Sequence, residues 1–300
     1  MFASSLTALS RPKALCAMSL VTALPACNSV DESPTSTSGT NLSPDYERLA
    51  STANETSTLG GVALRLQPIP TATTLTTSSG TLDHASGATT INDGAYTLVD
   101  SDGFTAGGLL TDGVSTLFST PAQGFSGNYD YARVYSHAYF INTVPFVTTG
   151  VYGVVTRPQD MPTTGSATLT GEAQASYFNS TTNFDLSKGA SKIEANFANG
   201  TVDVTTDQFD ITNRETSVSA NVGFNGIKIT GMKTLGNQFS GGTIATQQNG
   251  RDVEIITDRA QESALGRFFG LTNSGQPDEA GGIGYLRGND GSLTIIFLAD

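Results

Sequence analysis

The sequence has no tryptophan, two cysteines and two histidines among its 300 residues, and charged residues make up only 14%. Both cysteines, Cys16 and Cys27, lie within the first 27 residues, so the remaining chain cannot form an internal disulfide. Hydrolytic triads need a histidine oriented by a carboxylate, and transition-metal sites usually need several imidazole or thiolate ligands. The shortage of both residue types argues against an enzyme and against a metal site. We therefore predict no cofactor.

The charge balance is acidic, because 27 Asp and Glu residues against 15 Lys and Arg residues give a net charge of −12. Such a charge repels nucleic acid and anionic lipid, so no nucleic-acid partner is expected. Catalytic motifs such as Gly-x-Ser-x-Gly, His-Glu-x-x-His and Cys-x-x-Cys are absent from the sequence. His84 lies in a Gly/Ser-rich stretch and is predicted to be a solvated loop residue.

The first 27 residues have the pattern of an export signal. Arg11 and Lys13 precede an apolar run at 14–24, which is too short to span a bilayer comfortably but suits a signal peptide. Small residues then lead into Cys27, and this arrangement resembles the bacterial lipobox, whose cysteine is acylated with chains such as palmitate. We predict lipidation at Cys27. Ordinary signal cleavage near Ala26 is the alternative.

Residues 28–58 are rich in Ser and Thr and contain few large apolar side chains. Such a stretch buries too little surface to offset the entropy of ordering, so it is predicted to be a disordered tether.

Alternating side chains and tight turns dominate the chain after residue 60. Asn-Gly and Asp-Gly supply the positive φ values of type I′ hairpin turns. Four such dipeptides predict four hairpins with two-residue loops, at Asn199-Gly200, Asn225-Gly226, Asn249-Gly250 and Asp290-Gly291. The loops place apolar residues on one face, and the predicted pairs are Phe197 with Val202, Phe224 with Ile227, Thr246 with Val253 and Leu286 with Ile295.

The region from about residue 165 onward is therefore predicted to be an antiparallel up-and-down meander of about eight strands. Its last strand, 293–298, is apolar on both faces and needs cover on both sides, which favours a closed barrel. The interior is predicted to be filled by Phe197, Val202, Val222, Phe224, Ile227 and Ile229. Residues 60–156 are predicted to form a smaller β unit, with strands near 89–91, 95–99, 114–119, 129–140 and 151–156.

An aromatic row in the smaller unit is the candidate ligand-binding site. On a strand, alternate residues share a face, so one face would carry Tyr129, Tyr131, Arg133, Tyr135, His137 and Tyr139. Tyrosine and arginine are favoured in protein-binding hot spots, and tyrosine and histidine are axial haem ligands. Three interpretations stay open: packing of the unit's own core, docking of a protein, and binding of haem or another small ligand.

Four segments resemble the barrel domain of the transferrin-binding protein B-like surface lipoproteins, at 156–171, 196–202, 266–270 and 279–282. The first contains a Met-Pro-x-x-Gly-x-Ala entry pattern, and the last is a Glu-x-Gly-Gly sequence. Leu169 and Phe269 stand where the family usually has tyrosine. The resemblance implies an all-β chain, with a small handle-like β domain followed by an eight-stranded antiparallel up-and-down β-barrel. We expect a signal peptide at 1–27, a tether at 28–58, the handle at 59–160 and the barrel at 161–300.

The resemblance also implies a transferrin-binding protein-like solute-binding lipoprotein of the outer membrane or cell surface, exported with a surface lipoprotein assembly modulator. Relatives bind transferrin, haem or haem proteins, or complement regulators. We therefore predict non-covalent ligand binding in haem or iron acquisition, with a haem protein, a transferrin-like protein or a TonB-dependent receptor as partner. One alternative is an adhesive or envelope-interaction protein that binds a host or envelope macromolecule. Another is a small-molecule carrier that uses the barrel interior.

Overall fold

The structure is a computed structural model that describes residues 46–51, 55–66, 74–92, 97–100, 117–119, 125, 129–141 and 144–300. The predicted signal peptide, Cys27 and most of the predicted tether lie outside the described residues. Within these ranges the chain consists of β-strands and one short 3-10 helix, Pro158–Asp160. No helix in this part of the chain is long and apolar enough to cross a membrane. The predicted all-β class is confirmed.

The first half of the chain forms a seven-stranded curled sheet with the strand order β4-β3-β2-β1-β7-β6-β5. Every pairing in it is antiparallel. β1 and the Thr/Ser-rich β2 are additional to the strands predicted for this unit. The strand bounds are β1 Thr56–Leu66, β2 Thr74–Asp83, β3 Thr89–Asn92, β4 Thr97–Asp100, β5 Leu117–Ser119, β6 Ala132–Ile141 and β7 Val144–Val154.

The second half forms the predicted eight-stranded barrel. Its strands are β8 Ser166–Phe178, β9 Asn183–Asn196, β10 Thr201–Asp207, β11 Asp210–Asn213, β12 Gly226–Leu235, β13 Gln238–Ser240, β14 Thr243–Gln248, β15 Arg251–Val253, β16 Gln261–Phe269, β17 Glu279–Arg287 and β18 Ser292–Ala299. β13 and β14 lie end to end along β12 and count as one strand, and β15 with β16 forms the next. β18 pairs with β8 and so closes the cylinder, while β11 is an extra partner of β9 outside it.

The Asn249-Gly250 hairpin has the predicted register. Thr246 pairs with Val253, and Asn249 and Gly250 have φ values of 53° and 78°, as a type I′ turn requires. Asn199 and Asp290 also lie at hairpin tips, but their loops contain four residues. The predicted pairing is wrong by two residues in both, since Ala195 pairs with Val202 and Leu286 with Leu293. A two-residue shift preserves side-chain alternation, so the predicted faces are unchanged.

The predicted hairpin at Asn225-Gly226 is wrong. Gly226 begins β12, and Asn225 ends the long connection from β11, so Phe224 and Ile227 do not pair across a turn. Asn225 instead supports the neighbouring Asn249 turn. Its side chain donates to Asn249 Oδ1 at 3.1 Å and accepts from the Asn249 N–H at 2.9 Å.

The barrel interior is filled by apolar side chains. Phe268 lies at its centre, with ring centroids 5.0 Å from Phe239 and 5.8 Å from Phe197. The six residues predicted to fill the interior all belong to this core, with Val222 at its margin. Side chains rather than a ligand chamber therefore occupy the interior, which removes support from the carrier alternative.

The curled sheet covers one side of the barrel from outside. The covered surface, here called the outer wall, consists of Phe269, Ile283, Tyr285, Ile296 and Leu298, which share a second core with residues of the curled sheet. Val151 of β7 lies directly above Gly281, whose added Cβ would be 3.0 Å from the valine methyl. This arrangement explains why the last strand is apolar on both faces.

Residues 46–51, here called the strap, are packed against the junction of the two sheets. The Tyr46 hydroxyl donates to Asp160 Oδ2 at 2.7 Å and accepts from the Arg157 N–H at 2.8 Å. Leu49 is buried, and its N–H donates to the Asp130 carbonyl at 2.8 Å. The tether was expected to extend to residue 58, but these contacts and the start of β1 hold its last part in place.

Candidate functional site

The predicted aromatic row does not lie on one face, because β6 begins only at Ala132 and the chain bends before it. Tyr129 and Tyr131 lie in this bend and contact the barrel. The Tyr129 hydroxyl donates to the Leu298 carbonyl at 3.0 Å. The Tyr131 ring lies where a side chain at Gly270 would be, and Gly270 has a φ of +60°. Both tyrosines therefore lie in the junction, the region of contact between the curled sheet and the barrel.

The rest of the row lies on the side of the curled sheet that faces away from the barrel. Val134 pairs with Val151, which contacts the barrel, so Tyr135 and His137 point to the opposite side. Tyr135 and His137 are both 0% exposed, and the Tyr135 ring packs edge-on against Tyr152 at 5.6 Å. Arg133 is half-buried on the same side. Tyr139 belongs to β6, but its side chain lies outside the described residues.

The side of the sheet that carries Tyr135 is rich in polar groups and is here called the far face. Strand register aligns its residues in three rows across β2, β1, β7 and β6. The central positions are small, and the Tyr135 ring occupies the space beside Gly150. The three rows are Ser78-Gly61-Tyr152-Arg133, Thr76-Ala63-Gly150-Tyr135 and Thr74-Arg65-Thr148-His137.

Arg133 connects the far face with the junction. Its guanidinium donates to the Ala132 carbonyl at 2.8 Å and also to the Tyr129 carbonyl. Burial lowers the pKa of Arg133, while the nearby Tyr152, Glu279 and Asp130 act to raise it. An arginine keeps its charge under such a shift, so a cation lies between the two halves of the predicted row.

Glu279, the first residue of the Glu-x-Gly-Gly segment, is a buried acid. It is 1% exposed, and its Oε1 accepts from the N–H groups of Asp130 at 2.5 Å and Tyr131 at 3.0 Å. Burial raises the pKa of Glu279 to about 8, against the lowering effect of these donors. The carboxyl group thus joins the start of β17 to the chain entering β6.

His84 is not the solvated loop residue that its sequence context predicts. It is 4% exposed, its Nε2 lies 2.7 Å from Ser57 Oγ and its Nδ1 lies 3.2 Å from the Ser51 carbonyl. The turn after β2 folds back on the strap, and this distant contact buries the imidazole. The second contact fixes Nδ1 as a donor, since a carbonyl oxygen only accepts.

No group of three or more His, Cys, Asp or Glu side chains in the described ranges could hold a metal ion. Several of the titratable groups with shifted pKa values lie around the junction. Asp278 has a raised pKa because of burial and the nearby Asp130, and Tyr129 and Tyr131 have raised pKa values because of burial.

No protein-family model matches the sequence, and no curated protein matches it either. Solved structures do match. The crystal structure of a point mutant of transferrin-binding protein B from Haemophilus parasuis Hp5 aligns with a TM-score of 0.52 and 15% identity, over 81% of this chain and 45% of that one. Isotype 1 transferrin-binding protein B from serogroup B Neisseria meningitidis aligns with a TM-score of 0.47 and 17% identity, over 80% of this chain and 43% of that one.

The chain therefore has the fold of a transferrin-binding protein B lobe, as the sequence resemblance implied. It spans less than half the length of either of these proteins. At 15% identity the likeness establishes the fold and leaves the ligand to be argued from this chain's own residues.

Proposed function

We propose that the protein is a lipid-anchored lipoprotein of the outer membrane or cell surface that binds a ligand without chemical turnover, in haem or iron acquisition. The observation that carries this proposal is the lobe fold shared with transferrin-binding protein B. The matched proteins are named for binding transferrin, so a host iron protein is the first kind of partner to test.

The packing of the barrel supports a binding role for outer surfaces. The interior is filled by Phe268, Phe239 and their neighbours. A ligand is therefore expected to bind at the loop tips, at the junction or on the curled sheet. Several tips are held rigid by side chains. Asp290 accepts from the Thr257 N–H at 3.0 Å and from its hydroxyl at 2.7 Å. Rigid loops lower the entropy cost of binding.

The predicted ligand-binding residues stay part of the proposal in two groups. Tyr129 and Tyr131 are buried in the junction, where they would support a partner-binding surface formed with the strap. Arg133, Tyr135 and His137 belong to the far face, where their burial restricts them to a ligand that enters the curled sheet.

The anchor is tested by metabolic labelling with palmitate. We expect the wild-type chain to be labelled and to sediment with membranes, and the Cys27→Ser variant to be unlabelled and soluble. Equal release of both chains into the soluble fraction would favour ordinary cleavage near Ala26.

The ligand is tested by biolayer interferometry with purified chain carrying Cys27→Ser. Transferrin, haemoglobin and haem are offered separately, at matched ionic strength. Saturable binding of any of them supports the acquisition role. If none binds and cross-linking on intact cells recovers a different envelope or host protein, the adhesive alternative replaces it.

A further inference from the structure

One row of the far face places a guanidinium, a hydroxyl and an imidazole side by side. Arg65 of β1 pairs directly with Thr148 of β7, and Thr148 pairs directly with His137 of β6. Direct antiparallel partners share a face, with Cβ atoms about 4.5–5.5 Å apart. The three side chains therefore border one small patch of the sheet.

Two polar atoms of this row are buried and lack a hydrogen-bond partner within the described part of the chain. They are Nε of Arg65 and Oγ1 of Thr148. Buried polar groups in folded proteins are nearly always hydrogen-bonded, so two adjacent exceptions need an explanation. An arginine only donates and a threonine hydroxyl can donate, so the group that would satisfy both is an acceptor.

The positive charge of Arg65 indicates that the acceptor is an anion. In the described ranges no acidic side chain forms an ion pair with Arg65. Thr148 and His137 are fully buried, whereas Arg65 is only half-buried. A group arriving from solvent would therefore meet the guanidinium first and the hydroxyl behind it. The fork of an arginine matches the geometry of carboxylate and phosphate groups.

We propose that Arg65 and Thr148, beside His137, form an oxyanion-binding subsite for a carboxylate or phosphate group of a small ligand. This subsite rests on the binding function proposed above and specifies the ligand chemistry that the far face would recognise. Arg65 Nε and the Thr148 hydroxyl donate to the bound oxyanion, and the neighbouring row carries the Tyr135 ring, which is buried against Tyr152.

The test is an amide-shift titration of the isotope-labelled chain carrying Cys27→Ser. Sodium acetate and sodium phosphate are added separately, with sodium chloride at equal ionic strength as reference. We expect saturable shifts at the amides of Arg65, Thr148 and His137 with at least one oxyanion. The tighter of the two anions identifies the ligand group.

Variants assign the effect to individual side chains. Arg65→Gln should weaken oxyanion binding about tenfold or more, and Thr148→Val about threefold to tenfold, because charge-assisted hydrogen bonds are lost. The matched control is Thr149→Val. Thr149 is the next residue, points to the opposite face and donates to the Tyr135 carbonyl at 3.1 Å. This variant should bind oxyanions like the wild type.

Two results would overturn the subsite: shifts no different from those with chloride, or equal oxyanion affinity in Arg65→Gln and wild type. Thermal unfolding of each variant checks that the fold is kept. The interferometry panel is repeated with Arg65→Gln to separate the two proposals. If the wild type binds a protein partner but no oxyanion, the subsite proposal fails and the proposed binding function stands.

Discussion

The barrel and the curled sheet solve the problem of burying a β surface in different ways. The barrel closes its hydrogen-bond ladder through β18 and β8 and fills its interior with its own apolar side chains. Among the described residues the curled sheet stays open at β4 and β5, and it buries its apolar face on the outer wall of the barrel. The barrel therefore needs little from the sheet, whereas the sheet depends on the barrel for cover.

This difference bears on where binding can evolve. Inward positions of the barrel are constrained by packing, since a change of even one methylene is felt in a dense core. The far face of the curled sheet is under no such constraint toward the barrel, and it carries Ser78 and Thr148 as buried polar residues whose hydroxyl oxygens have no hydrogen-bond partner among the described residues. A buried hydroxyl without a partner costs stability, so these two positions are candidates for ligand contact.

Separating the two regions gives the largest expected effect. Residues 158–300 expressed alone should fold cooperatively, and residues 46–157 alone should not, because the sheet loses the apolar cover of the outer wall. Circular dichroism and amide-shift dispersion, compared with residues 46–300, provide the measurement. The isolated barrel should also self-associate in light scattering, since Ile283, Ile296 and Leu298 become exposed. A well-dispersed spectrum from the isolated sheet would show that the sheet does not depend on the barrel for folding.

A single change in the barrel core gives the next largest effect. Phe268→Ala should lower the free energy of unfolding by about 3–5 kcal/mol, because the cavity borders the Phe197 and Phe239 rings. Phe178→Ala is the matched control, since Phe178 is 38% exposed and should lose less than about 1 kcal/mol. Urea titrations of the three proteins measure both values. Similar losses from both variants would mean that the interior is loosely packed.

The barrel could be predicted from the sequence because its signals are local. Alternation assigned Val202 and Phe224 to the interior although the hairpin registers were wrong by two residues or, at Asn225, altogether. An Asn-Gly pair specifies a compatible backbone, but only the other strands decide whether it turns the chain. Asn249 forms a hairpin, whereas Asn225 hydrogen-bonds to it from a neighbouring segment, although each is followed by glycine.

The candidate site could be predicted only in part, because its contacts join distant segments. Alternation holds only within a strand, so it described Tyr135 and His137 correctly and failed for Tyr129 and Tyr131 before β6. The hydrogen bond from the Asp130 N–H to Glu279 joins residues 149 positions apart, and no local sequence pattern predicts it. In the sequence, Glu279 looks like an ordinary acidic residue at the start of a strand.

The pH dependence of the free energy of unfolding should distinguish the junction from the barrel. The unfolded chain holds the Glu279 proton only below a pKa near 4.5, whereas the folded chain holds it up to about 8. The stabilising contribution of the protonated acid is therefore complete below pH 4.5 and is lost as the pH rises toward 8. Between pH 5 and 8 the wild type should lose about 3 kcal/mol relative to Glu279→Gln, whose neutral amide can still accept from the backbone.

Chemical unfolding at a series of pH values measures this difference. Glu194→Gln is the control, because Glu194 is an exposed acid on the barrel with an ion pair to Lys192 at 2.7 Å. Its pH profile should follow that of the wild type. Parallel profiles for wild type and Glu279→Gln would show that the junction carboxyl group is ionised in the folded state throughout this range.

The smallest expected effect tests whether the strap belongs to the junction. Tyr46→Phe removes the hydrogen bonds to Asp160 and Arg157 and keeps the ring beneath the Arg157 guanidinium, which lies 5.0 Å from its centroid. We expect a loss of about 1 kcal/mol, or about 2 °C in Tm. The pKa of Tyr46 is raised to about 12 by burial, so the hydroxyl stays protonated and the loss should not change between pH 6 and 9.

Tyr46→Leu also removes the ring and should cost more than Tyr46→Phe. Limited trypsin digestion gives a local readout, because Arg48 is held in an ion pair with Asp130 at 3.2 Å while the strap is seated. Cleavage after Arg48 should be faster in Tyr46→Phe than in the wild type and fastest in Tyr46→Leu. Equal cleavage in all three would mean that the strap is fixed by Leu49 and His84 alone, and that Tyr46 adds nothing to the junction.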